Sequence, residues 1–131
     1  MSREIKFRFY DPFNKVMQYC SMEYKDYLSK FFIEYCNALE GENNPVLMQY
    51  TGLLDKNGKE IYEGDKCRCR MNGIETHVEE VETEVIYDLT VGAFCHKVIS
   101  KGSDYKWFGL NSKNLLSCEI IGNIYQTNQI V

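Results

Sequence analysis

From Pro45 onward, turn-forming residues return about every ten positions, and the runs between them are short and alternating, as β-strands are. The turns fall at Asp55–Lys59, Glu63–Asp65, Asn72–Gly73, Asp88–Gly92 and Lys101–Asp104. Asp55-Lys56-Asn57-Gly58-Lys59 is the strongest of them, and Asn57-Gly58 suits a type I′ hairpin. The expected strands are Val46–Tyr50, Glu60–Tyr62, Lys66–Met71, Val81–Tyr87, Ala93–Ile99, Tyr105–Phe108 and Cys118–Tyr125, the last broken at Gly122. Val78, Val81 and Val85 also fit helical spacing, but β-branched side chains favour a strand. Such spacing suggests a small sandwich or barrel.

The N-terminal part reads differently. Arg3–Tyr10 alternates, with Ile5, Phe7 and Phe9 on one face. Asp11-Pro12-Phe13-Asn14-Lys15 is turn chemistry, with Asp11 and Asn14 tolerating tight backbone, and Val16–Tyr19 returns as the second arm of a hairpin. Tyr24, Tyr27, Leu28, Phe31, Phe32, Tyr35, Cys36 and Leu39 then recur at helical spacing. Asp26 and Lys30 lie four apart on the outer side, Ser21 suits a helix cap and Gly41 suits a left-handed stop. The aromatic stripe of this helix must be covered, either by the domain's own sheet or by a second copy of the chain. The expected organisation is a single mainly β domain over 1–131, with a hairpin in 1–22, an inserted amphipathic helix and loop in 23–45, and a barrel portion in 46–131.

A chain of 131 residues with 44 % apolar residues fits one domain that needs no metal or disulfide to fold. Its net charge of −4 lacks the positive field of a general nucleic-acid binder. The N-terminal residues do not read as an export signal, and no run approaches a membrane span. The six cysteines, at 20, 36, 67, 69, 95 and 118, are therefore expected to be reduced thiols in a cytoplasm.

Groups that could carry chemistry are few. Glu75, Glu79, Glu80, Glu82 and Glu84 could pair for hydrolysis or hold magnesium, but one segment supplies them all, and they read as a solvated strand face. Cys67 and Cys69 share a strand face with Arg68 opposite. A zinc site needs a second pair of ligands, for which Cys95-His96 is the only candidate, so the thiols read as core. A thiol nucleophile would pair Cys95 or Cys118 with His77, since Cys95 and His96 point to opposite faces. His77 and His96 read as surface residues. There is no phosphate loop, nucleophile elbow or zinc-protease motif. No catalytic residue, cofactor or metal is expected.

Basic and aromatic residues interleave twice. Arg3, Lys6 and Arg8 alternate with Phe7, Phe9 and Tyr10, while Lys97, Lys101, Lys106 and Lys113 surround Tyr105, Trp107 and Phe108. Single-stranded nucleic acid is bound by such patterns, and half-buried strands look the same, so nucleic acid is possible but not favoured. Tyr105, Lys106, Trp107 and Phe108 are the candidate interaction surface, with Trp107 equally suited to the core.

Leu47–Asp65, which contains Gln49-Tyr50-Thr51-Gly52, Asn57-Gly58 and Gly64-Asp65, closely resembles the signature of the YopX family of phage and prophage proteins. Arg3–Arg8 resembles that family's opening strand, and Glu119–Tyr125 its closing one. Val85–Asp88 with Gly92–Phe94 is similar too, while Glu23–Glu40 and Met71–Glu80 depart. The resemblance implies an SH3-type barrel after Tyr50, with the N-terminal hairpin packed beside it, and a prophage origin in a bacterial host. It implies no activity. Within the signature, Asn57-Gly58 and Gly64-Asp65 read as turns, Tyr50, Leu53, Ile61 and Tyr62 as anchors, and Gln49, Thr51, Lys56 and Lys59 as exposed. The expected function is a small non-enzymatic binding or accessory module for a phage or host protein. A self-assembling homo-oligomer and a nucleic-acid accessory are the alternatives.

Overall fold

Alternating runs joined by tight turns become antiparallel strands, and the computed structural model shows two sheets of them. It describes residues 4–12, 14–21, 31, 33, 35, 36, 46–72, 78–100, 107–110 and 115–126, without the side chains at 21, 71, 72, 78, 79, 107, 115 and 116. The strands are β1 (Lys6–Asp11), β2 (Val16–Ser21), β3 (Met48–Leu54), β4 (Glu60–Tyr62), β5 (Asp65–Asn72), β6 (Val78–Asp88), β7 (Ala93–Val98), β8 (Trp107–Gly109) and β9 (Leu115–Asn123). One sheet has the order β2-β1-β3-β4 and the other β8-β7-β6-β5-β9. The mainly β expectation holds. The chain divides into two compact units, Met1–Gly52 and Leu53–Val131, so the division falls within β3.

In the first unit, β1 pairs with β2 from Lys6↔Ser21 to Asp11↔Val16, and with β3 through Phe7↔Gln49 and Arg8↔Met48. Phe9 is fully buried with Cys20 and Phe31, and Phe7, Tyr35 and Leu47 pack around them. Phe31 and Tyr35 meet the Phe9 ring edge-on at 5.2 and 5.3 Å between centroids. Most of the predicted helix 23–40 lies outside the described residues. Backbone at Phe31, Ile33, Tyr35 and Cys36 is helical, but no helix is delimited among the described residues. Ser21, expected as a helix cap, ends β2 instead.

The turns depart from expectation in detail. In the first, Asp11 accepts hydrogen bonds from the Asn14 backbone N–H and side-chain amide, and the residue at positive φ is Lys15 (56°). The Asn57-Gly58 hairpin is not type I′, because Gly58 has φ of 83° while Asn57 is not at positive φ. The Gly58 N–H donates to the Asp55 carbonyl at 3.0 Å, which makes a type I turn closed by a left-handed glycine. The reason is Asp55, whose carboxylate accepts the backbone N–H groups of Asn57, Lys59 and Ile120 at 2.8, 2.9 and 3.0 Å. Those bonds hold Asn57 in the right-handed region.

Among the described residues, the second unit has one apolar core. Ile61, Cys67, Cys69, Val81, Val85 and Cys118 are buried there, with Leu53, Val98, Phe108, Leu110 and Ile120 packed against them. The acid-rich face of β6 lies outward, where Arg68 pairs with Glu80 at 3.0 Å and approaches Glu82 at 4.0 Å.

Candidate functional site: a buried thiol and imidazole cluster

Alternation along β5 turns Cys67 and Cys69 to the same face, and both are fully buried. Antiparallel pairing places Cys118 of β9 directly opposite Cys69, and Thr83 of β6 opposite Cys67. His96 on β7 pairs with Val85 and so faces the same core. In the strand order, β7 and β9 have β6 and β5 between them. In a flat sheet that separation would be about 14 Å. Yet the Cys67 and Cys118 sulfurs and a ring nitrogen of His96 all lie within 4.8 Å of one another. The sheet is therefore strongly curled, and its concave face gathers side chains from three strands around one point.

The cluster is almost closed to water, with Cys118 8 % exposed. His96, Cys67, Cys69 and Thr83 are each 0 % exposed. Thr83 Oγ1 lies 2.8 Å from His96 Nδ1 and 3.8 Å from Cys69 Sγ. The other ring nitrogen, His96 Nε2, is buried without a hydrogen-bond partner. Phe108 stacks on the imidazole at 5.0 Å. Burial pushes the His96 pKa down to about 4, so the ring is neutral at pH 7. Cys118 is pushed up to about 12, first by its hydrogen bond with the Cys67 thiol and also by burial. The hydrogen bond with Cys118, followed by burial, pushes Cys69 far above the ordinary thiol range. Protonated, sealed thiols are poor nucleophiles. Neutral imidazole and thiol sulfur are, however, soft metal donors.

Sequence reasoning placed His96 on the surface, and the structure overturns this. It also looked for the second half of a zinc set in Cys95-His96. Cys95 is buried with its thiol donating to the Ala93 carbonyl at 3.6 Å, and Cys118 stands beside His96 instead. The missing signal was the long-range β5–β9 register, which no local pattern carries. His77 lies outside the described residues.

The other sequence-derived residues are scattered. Tyr105 and Lys106 lie outside the described residues, Trp107 is on β8, and Phe108 is half-buried against the core. Tyr50, Gly64 and Asp65 are buried, Gln49 is half-buried, and Gly52, Asn57 and Gly58 are exposed. Thr51, expected at the surface, is buried. Lys56 is exposed and pairs with Glu119 at 3.0 Å. Asp65 accepts the Tyr62 N–H at 2.8 Å, while Gly64 donates to Val85 and accepts from Ile124. These contacts make much of the signature structural.

One surface feature had no forewarning in the sequence. The β6–β7 hairpin tip exposes Tyr87, Leu89 (87 %) and Val91. Asp88 stiffens it: Oδ1 accepts from the Thr90 N–H and hydroxyl at 2.8 and 2.6 Å, and its carbonyl accepts the Gly92 N–H. Tyr87 packs edge-on against Phe94 at 5.2 Å.

Comparison with known proteins gives a family and a fold. A family model described as YopX protein matches residues 6–131. The crystal structure of protein EF1440 from Enterococcus faecalis is similar, with 21 % identity, a TM-score of 0.53 and 98 % of each chain covered. No curated protein matches. Among the described residues, no helix is long and apolar enough to cross a membrane.

Proposed function

Because this chain belongs to the YopX protein family, we propose that it is a phage- or prophage-encoded, non-enzymatic accessory module that binds a protein in the host cytoplasm. The stiffened β6–β7 tip is the observation that carries this reading. Leu89 and Val91 stand in solvent on a turn locked by Asp88, and a preorganised apolar tip loses little entropy on docking. The occupant is a protein with an apolar pocket, since a −4 chain does not attract phosphate. Sealed thiols and a neutral, buried imidazole support a non-enzymatic role. In this reading the curled five-stranded sheet is the SH3-type barrel, and an inserted helix brings Phe31 and Tyr35 onto Phe9.

Parallel capture from phage-induced cells tests it, with wild-type protein beside Leu89→Asp and Val91→Asp. A protein held by the wild type and released by both variants supports the reading. Identical retention by all three removes the tip from the function. Light scattering on the purified chain separates this from self-assembly: a concentration-dependent oligomer lost in Leu89→Asp would make the partner a second copy.

A further inference from the structure

We infer that the buried cluster on the curled sheet is a zinc site, ligated by Cys67, Cys118 and His96 with Cys69 as the fourth donor. Three observations carry it. First, two sulfurs and an imidazole nitrogen from three separate strands converge within 4.8 Å. A tetrahedral zinc site sets its donor atoms about 3.5–3.8 Å apart, so for these three donors contraction of about 1 Å suffices, within the reach of side-chain torsions. Second, His96 Nε2 is fully buried and without a partner. A core built for packing alone rarely brings in an imidazole and leaves one of its nitrogens unsatisfied. Third, Thr83 Oγ1 lies 2.8 Å from His96 Nδ1. Metal-bound histidines are commonly oriented by such a bond from their other nitrogen.

Cys69 completes the set. Its Sγ lies outside the 4.8 Å group, 3.8 Å from Thr83 Oγ1 and on the residue directly opposite Cys118, so its side chain turns inward to reach the metal. Three sulfurs with one nitrogen form a closed structural set, with no open position for a substrate water. On binding, Zn²⁺ accepts four lone pairs, and the three thiols release their protons to solvent. The site carries a net charge of −1 once formed. It ties β5, β7 and β9 together, so its role is to hold the curl of the sheet. This inference stands apart from the proposed partner-binding tip.

The test uses the full chain, purified, stripped with chelator and titrated with Co²⁺ under reducing conditions. A thiolate-to-cobalt charge-transfer band that saturates at one equivalent and is displaced by Zn²⁺ is expected. Absence of such a band overturns the proposal. Cys118→Ser and His96→Gln should weaken binding more than about a hundredfold, beyond the change typical of losing an outer hydrogen-bond partner. Cys95→Ser and Cys20→Ser should leave it unchanged. Should the ligand variants not fold, zinc-edge X-ray absorption on the wild-type protein decides: three sulfurs and one nitrogen support the site, and an all-nitrogen-and-oxygen shell overturns it.

Discussion

Thr83 Oγ1 and His96 Nδ1 lie 2.8 Å apart, and both residues are completely buried. This bond joins β6 to β7 inside an otherwise apolar core, where no water competes for either group. It sets the ring plane that Phe108 stacks on. One threonine hydroxyl therefore orients the only imidazole among the described residues.

Thr83→Val keeps the shape and removes the hydroxyl. It leaves Nδ1 buried without a partner, at a cost of about 1–3 kcal/mol. Urea unfolding of chelator-stripped protein at pH 7 should show the midpoint falling with an unchanged slope. Thr83→Ser keeps the bond and loses a methyl group, so its cost should be smaller. If valine proves as stable as wild type, the bond contributes nothing and the ring is held by packing alone.

Asp55 joins the β3–β4 turn to β9. Asp55→Ala strands the N–H groups of Asn57, Lys59 and Ile120, and about 2–3 kcal/mol should be lost. Burial pushes this carboxyl up, but the three N–H donors and the nearby Lys59 charge outweigh it and hold the pKa below 3.8. The unfolded chain thus takes up this proton at higher pH than the folded one. Its contribution is full above the ordinary carboxylate range and fades as pH falls through the lowered folded value. The stability gap between wild type and Asp55→Ala should narrow below about pH 4. A gap constant from pH 7 to pH 3 would show that the carboxylate charge is irrelevant.

Gly58 separates backbone strain from crowding. A Cβ there meets no atom within 4 Å, yet φ is 83°. Gly58→Ala should cost about 1–2 kcal/mol from the left-handed backbone alone. Gly109 is equally open and has no positive φ, so Gly109→Ala should stay within about 0.5 kcal/mol of wild type. Equal midpoints in urea for the two variants would count against a strain effect at the turn.

The parts of this fold legible in the sequence were those set by local chemistry. Alternation located β1, β2 and β4–β7 to within a few residues, and it put Cys67 and Cys69 on one face. β3 runs on through Thr51–Leu54 because Gly52, with φ of 88°, bends the strand without ending it. Asp55 looked like ordinary turn punctuation, since its third carboxylate bond goes to Ile120, 65 residues away. The cluster was illegible for the same reason. Cys118 reaches Cys69 through a β5–β9 register that shifts twice, and His96 reaches Cys118 and Cys67 through the curl of the sheet. Neither the shifts nor the curl leaves a local periodicity. The hairpin tip was missed because Asp88–Gly92 reads as a turn whatever apolar residues it carries.

Phe108 discriminates between the sequence reading and the structure most directly. Tyr105-Lys106-Trp107-Phe108 reads as an exposed aromatic patch, and removing a surface ring changes stability by less than about 0.5 kcal/mol. In the structure Phe108 pairs across to His96 and stacks on it, with ring centroids 5.0 Å apart and planes 28° from parallel. It also packs on the cysteine-rich core. Phe108→Ala should therefore open a cavity over the imidazole and cost about 2–4 kcal/mol. Phe108→Leu, which refills most of that space, should recover part of it. Urea midpoints of the three proteins decide the matter. An alanine variant as stable as wild type would return Phe108 to the surface.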